Sequence, residues 1–283
     1  MAGRFSRSWS LASANWQVLK QDTQLMVFPF VSAIAAILIA GAFALGALGV
    51  AGFDGLTHLD RHDVPGAYYV VAFAFYVCLY FAMFFCNAAL VGAAMIRFDG
   101  GSPTVSDGWR IASSRSGRIL GYALIAATVG MILRAIQERL GFVGRFVVGL
   151  LGVGWTVATA MVVPVLVSHD VGPIDAVKES AGLLKKTWGE NVIGKGGLSL
   201  AFLVVYLAVI LGAVALAAAG VWLHSVALLV MVGVATVVAL VFAALAHAAL
   251  SGIYAAALYR YATTGSAGAG FDSGALRAAF APK

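Results

Sequence analysis

Residues 196–259 read GGLSLAFLVVYLAVILGAVALAAAGVWLHSVALLVMVGVATVVALVFAALAHAALSGIYAAALY, without one Asp, Glu, Lys or Arg. Crossing the ~30 Å hydrocarbon layer of a bilayer takes about 20 apolar residues. The run is too long for one crossing and is read as two spans, 198–220 and 225–259. They break near Gly220, where Trp222 and His224 suit a tight turn at the membrane surface. The fold class follows: an all-α, polytopic transmembrane helix bundle.

The same criterion marks four further spans. Segment 25–50 is uncharged, with Pro29 in its first turn, where a missing N–H is harmless. Segment 67–96 is longer than a crossing needs, so it should tilt or protrude, with Tyr68 and Tyr69 in the outer headgroup belt. Segment 146–168 carries Trp155 and Pro164. The weakest span is 119–140, because its uncharged part stops before Arg134. Extension to Leu140 sets Arg134 and Glu138 four residues apart at headgroup level.

Composition agrees. Of 283 residues 62% are hydrophobic and 11% charged, where a soluble domain carries roughly 25% charged residues, and the mean hydropathy is +0.96. Twelve acids and eighteen bases do not make a soluble surface. With six crossings and an inner N-terminus, fourteen of the eighteen basic residues fall on the cytoplasmic side and four outside, following the positive-inside tendency. Arg134, Arg139 and Arg145, in the second outer loop, run against it. The expected location is a bacterial plasma membrane, with both termini cytoplasmic. The first apolar run is too long, and begins too late, for a cleaved signal peptide. Residues 1–263 form a single transmembrane domain, and 264–283, rich in Ala and Gly, a flexible cytoplasmic tail.

The spans pair into three hairpins, each preceded by a short amphipathic helix that lies in the cytoplasmic interface. In the first, Phe5, Trp9, Ala12, Trp16 and Leu19 share a face. In the second, Thr104 and Asp107 form a capping box ahead of a weaker stripe of Val105, Trp109, Ala112 and Ile119. In the third, Pro173 opens a helix whose apolar face is Ile174, Val177, Ala181, Leu184 and Trp188. Trp9, Trp16, Trp109 and Trp188 are the candidate interfacial anchors. The basic residues of these helices would meet anionic headgroups, so membrane lipid is the expected partner, with a protein partner or a second copy of the chain beside it and no nucleic acid.

Few residues invite chemistry. Gly189, Gly194 and Lys195 copy the spacing of a phosphate-binding loop, but Gly196 stands where Ser or Thr would ligate magnesium and no strand precedes the motif. His247, with Ala243 and Ser251 one turn away on either side, and Asn87 are the polar positions inside spans. Each is read first as an interhelical hydrogen bonder, then as a ligand or proton site. His169 with Asp170, at a membrane edge, lacks the further ligands a metal needs. Cys78 and Cys86 are about 12 Å apart along one helix, beyond disulfide reach. No catalytic, cofactor-binding or metal-ligating residue is assigned, no cofactor is expected, and the protein is read as not an enzyme.

The run Gly3, Arg4, Phe5, Ser6, Arg7, Ser8, Trp9, with Glu138, Arg139, Leu140, Gly141 and Thr187, Trp188, Gly189, Glu190, Asn191, resembles an uncharacterised family of bacterial six-span membrane proteins known as a domain of unknown function. The resemblance reaches about Tyr261 and implies a membrane fold and no activity. The expected role is that of a membrane-organising or lipid- and partner-contacting component. The alternative is a small-molecule transporter or channel that uses the bundle interior around His247 and Asn87.

Overall fold

The computed structural model describes residues 22–57, 66–186 and 188–265. Among these residues every regular element is helical and no strand occurs. A 3₁₀ turn, Thr23–Met26, leads into α1 (Val27–Thr57). There follow α2 (Gly66–Phe98), α3 (Val105–Ser114), α4 (Ser116–Arg139), α5 (Phe142–Ala158), α6 (Val162–Ser168), α7 (Pro173–Lys186), α8 (Trp188–Trp222) and α9 (Val226–Thr264). Six helical segments have the length and apolarity of membrane spans: 23–49, 68–98, 116–139, 144–168, 198–222 and 226–264. The doubtful third segment is a helix of 24 residues, about 36 Å at 1.5 Å per residue, enough for the hydrocarbon layer.

The chain divides into two compact units, residues 27–93 with 103–185, and residues 1–26 with 94–102 and 186–283. In the first, small residues let helices approach closely. Ala88, Ala89, Ala112, Ala123, Ala127 and Ala176 are buried, the composition expected where lipid supplies no hydrophobic drive and association rests on close packing. A Cβ on Gly108 would lie 2.7 Å from the Ala89 carbonyl oxygen. Only glycine lets α3 settle there. α3 begins at a capping box: Thr104 Oγ1 accepts from the Asp107 amide at 3.2 Å and Asp107 Oδ2 accepts from the Thr104 amide at 3.1 Å.

The expected single span 146–168 departs from regularity in its middle. α5 ends at Ala158 and α6 starts at Val162. Pro164 has no amide hydrogen to bond residue 160, which helps to account for the break. The interruption is stitched by Ser180 of α7, whose side chain is fully buried: its hydroxyl donates to the Ala158 carbonyl at 2.7 Å and accepts from the Met161 amide at 3.1 Å. The buried side of α7 is accordingly Ala176, Ser180 and Leu184, whereas Ile174, expected on the apolar face, is 61% exposed. Small residues win the contact because the broken span must be reached by a hydroxyl at close range.

In the second unit α8 packs along α9 and the turn falls where the sequence places it. The Ser225 amide donates to Gly220 O at 3.0 Å, and Ser225 Oγ caps α9 by accepting from the Leu228 amide at 3.3 Å. His224 adopts φ 51°, a left-handed conformation in a non-glycine residue. α9 runs past the expected 259 to Thr264 and is closed by Gly265. Its buried stretch, 252–259, includes Ile253, Tyr254, Leu258 and Tyr259. In the most apolar window of 198–222, 0% is buried inside the protein, so its Leu, Val and Ile side chains require lipid as solvent.

Removing the Ser180 hydroxyl leaves the Met161 amide and the Ala158 carbonyl without their partner. Ser180→Ala is expected to destabilise the detergent-solubilised protein by about 1–3 kcal/mol, the cost of an unsatisfied buried group, read as a lowered midpoint of unfolding. Ser180→Thr, which keeps the hydroxyl, should recover part of the loss.

Candidate functional site

Three helix faces of the first unit converge on one cleft. From α2 come Tyr69, Tyr76 and Tyr80; from α4 Gly130, Arg134, Gln137 and Glu138; from α5 Arg145, Val148, Gly149 and Gly152, with Arg139 at the corner. These spacings of three, four and seven put each set on one side of its helix. The cleft holds about 1290 Å³ and adjoins a narrower compartment of about 220 Å³, lined by Tyr76, Tyr80, Ala127, Gly130, Met131 and Arg134.

An aromatic ladder fixes the α2 wall. Tyr76, Tyr80 and Phe84 recur every four residues, with centroids 6.1 Å and 5.7 Å apart, and Phe84 lies 4.5 Å from the ring of Tyr122 on α4. Arg134 is held by two bonds, Nη1 donating to the Tyr76 hydroxyl at 2.8 Å and Nε to Glu138 at 3.2 Å. Arg145 Nε donates to the Leu140 carbonyl at 3.2 Å, across the corner between α4 and α5. Three guanidinium groups and one carboxylate thus line the cleft. The glycines hold volume open here: a Cβ on Gly149 or Gly152 would meet nothing within 4 Å, and on Gly130 only the Tyr80 hydroxyl at 3.5 Å.

The far end of α4 is also charged, but its charges are spent on one another. Asp170 accepts from both Arg115 and Arg118, and His169 Nδ1 lies 2.9 Å from Glu179. Hydrogen bonds from Arg118 first, and then Arg115, hold the Asp170 carboxyl below the usual carboxylate range. The Thr104 hydroxyl and amide do the same for Asp107. In the second unit Arg97 pairs with Asp22, and Arg260 with Asp99.

The polar positions singled out in the sequence are dispersed. His247, on α9, is half-buried and stacks on Phe202 of α8, with centroids 4.5 Å apart and planes 11° off parallel. Tyr206 is 6.4 Å away. Asn87 is half-buried in the other unit and has no hydrogen bond among the described residues. Trp109 is packed rather than free, against Phe28 at 5.3 Å and Phe85 at 5.7 Å. Trp9 and Trp16 lie outside the described residues, and for Trp188 only the helical backbone is described. Gly189, Gly194 and Lys195 sit on the continuous helix α8, which gives no phosphate-binding loop. Cys78 is exposed and Cys86 is buried; both are free. Among the described residues no three His, Cys, Asp or Glu come together as a metal site.

The arginine cleft was missed by the motif reading. Its signal was present as the misfit of Arg134, Arg139 and Arg145 with the charge rule, and as glycines at 149 and 152 on the same face as Arg145.

Six helical segments long and apolar enough to cross a membrane define a multi-pass α-helical membrane protein. Residues 66–271 match the model of a family described as Family of unknown function (DUF6159), and the chain belongs to that family. Neither the curated proteins nor the solved structures contain a match to the chain.

The depressed Asp170 carboxyl makes a pH prediction. A group whose folded value is lowered stabilises the fold above the unfolded aspartate value, about pH 4, and that contribution is lost as pH falls through the folded value. Thermal midpoints in detergent should therefore drop on the acid side of about pH 4, and Asp170→Asn should flatten this limb. The effect is small, since the Asp170 side chain is 74% exposed. An unchanged acid limb in Asp170→Asn would refute the assignment.

Proposed function

We propose that the protein is a non-enzymatic, lipid-contacting component of the bacterial plasma membrane, with both termini and helices α3 and α7 on the cytoplasmic side. The observation that carries this reading is the pairing pattern of the basic residues at that end. Arg115 and Arg118 are engaged by Asp170, whereas Arg110 and Lys178, on α3 and α7, have side chains 77% and 72% exposed and only near-sequence carboxylate neighbours. Lys185 is exposed as well. Two short helices rooted by small residues thus present cations at one end of the spans, the arrangement that attracts an anionic leaflet. Each cation near such a surface contributes about 1 kcal/mol. A protein partner or a second copy of the chain would use the same face.

The transport reading has weaker support, because the His247 ring is stacked flat on Phe202 and Asn87 belongs to the other unit.

Two measurements test the proposal. In a background with Cys78→Ala and Cys86→Ala, Lys185→Cys should react with a membrane-impermeant maleimide only after cells are opened, and Arg139→Cys in intact cells; the reverse pattern refutes the orientation. Phosphatidylglycerol should raise the thermal midpoint in mixed micelles more than phosphatidylcholine does, and replacing Arg110, Lys178 and Lys185 together by Gln should remove most of that difference. Equal stabilisation by the two lipids would remove the lipid-contact reading.

A further inference from the structure

We infer that the arginine cleft between α2, α4 and α5 is a binding site for one anionic phospholipid, with the headgroup phosphate among Arg134, Arg139 and Arg145 and an acyl chain entering the tyrosine-lined compartment.

Three features of the cleft converge on that ligand. The first is charge. Arg134, Arg139 and Arg145 face one cavity with Glu138 as the single acid among its lining residues, and guanidinium groups bind phosphate oxygens in paired, charge-assisted hydrogen bonds. Arg134 is already oriented by Tyr76 and Glu138. Arg139 makes no side-chain hydrogen bond or ion pair among the described residues, so its donors are available to a ligand.

The second feature is shape. A free phosphate ion would occupy a small fraction of about 1290 Å³, and the adjoining compartment is walled by Tyr76, Tyr80, Ala127 and Met131. Gly130 and Arg134 line both spaces, so a cationic mouth opens directly onto an apolar and aromatic recess. A molecule with an anionic head and an apolar tail fits both parts at once. The third feature is the role of the glycines. Gly149 and Gly152 have no packing partner that excludes a Cβ, so close helix contact does not require them; they enlarge the cavity.

The site lies at the opposite end of α4 from Arg115 and Arg118, and therefore apart from the cytoplasmic basic face of the preceding proposal. It also accounts for three arginines on the side where basic residues are disfavoured: a bound phosphate offsets their charge.

The experiment is native mass spectrometry of the full-length, detergent-purified chain, titrated with phosphatidylglycerol, phosphatidylcholine or soluble sn-glycerol 3-phosphate. The first bound phosphatidylglycerol should exceed phosphatidylcholine in affinity by about tenfold, the effect of about 1.4 kcal/mol. Arg139→Gln with Arg145→Gln should abolish the preference. Gly152→Leu, which leaves every charge in place and meets no neighbour at its Cβ, should weaken binding of the lipid by narrowing the cavity. Arg134 is left intact, because its bond to Tyr76 ties α2 to α4. Glycerol 3-phosphate should not displace the lipid. Wild-type thermal midpoints in the variants establish that the fold is retained; Arg145→Lys, which keeps the charge without the paired donors, replaces the double variant if it unfolds, and is expected to lose part of the preference. Unchanged phosphatidylglycerol affinity in the folded variants would overturn the site, and displacement by glycerol 3-phosphate at equal affinity would overturn its assignment to a lipid. The separate triple Gln variant at Arg110, Lys178 and Lys185 should leave this first binding event unaltered, so failure here and failure of the cytoplasmic-face reading give different results.

Discussion

Hydrocarbon offers no hydrogen bond to a peptide group, and an unsatisfied amide or carbonyl there costs several kcal/mol. That constraint accounts for the helical state of the spans and for how the interruption in the segment 144–168 is mended. Between Ala158 and Val162 the helical ladder fails, and a fully buried serine from α7 supplies the bonds the backbone lacks. α7 is thereby tied to the interior of the spans, although its composition reads as that of a surface helix. Its small residues at 176 and 180 follow from the short distance a hydroxyl spans.

The same economy governs α3. Gly108 admits contact with the Ala89 carbonyl, and Trp109 then fills the space between Phe28 and Phe85. A tryptophan that composition assigns to the lipid headgroups is used to fix a helix against its neighbours. Both short helices are held by packing on their small-residue side and keep their cations on the other, which separates the anchoring of the helix from the presentation of charge.

Charge is sorted along α4. At one end Arg115 and Arg118 are matched by Asp170, and their positive charge is offset within the protein. At the other end three arginines line an open cleft with a single carboxylate, Glu138, which pairs with Arg134 alone. Since paired surface charges interact weakly with a further ion while uncompensated guanidiniums grouped in a concave site do so strongly, the two ends of one helix have different chemical capacities despite similar composition.

The sequence by itself determined the helical class and the six stretches long and apolar enough to span, because the need to cover ~30 Å of hydrocarbon with apolar residues is a local, one-dimensional condition. It also specified a turn just after Gly220 and the capping box at Thr104, where the hydrogen-bonding partners are neighbours in the chain. Tertiary structure alone decided which face of α7 is buried, that Ser180 mends the break before Pro164, that Trp109 and His247 rest on aromatic rings, and that Arg134, Arg139 and Arg145 surround one cavity. Those outcomes depend on which helices touch and at what rotation. In lipid that choice rests on close packing of small residues, and alanine and glycine occur on nearly every face of these helices, so no periodicity in the chain singles out the face that wins.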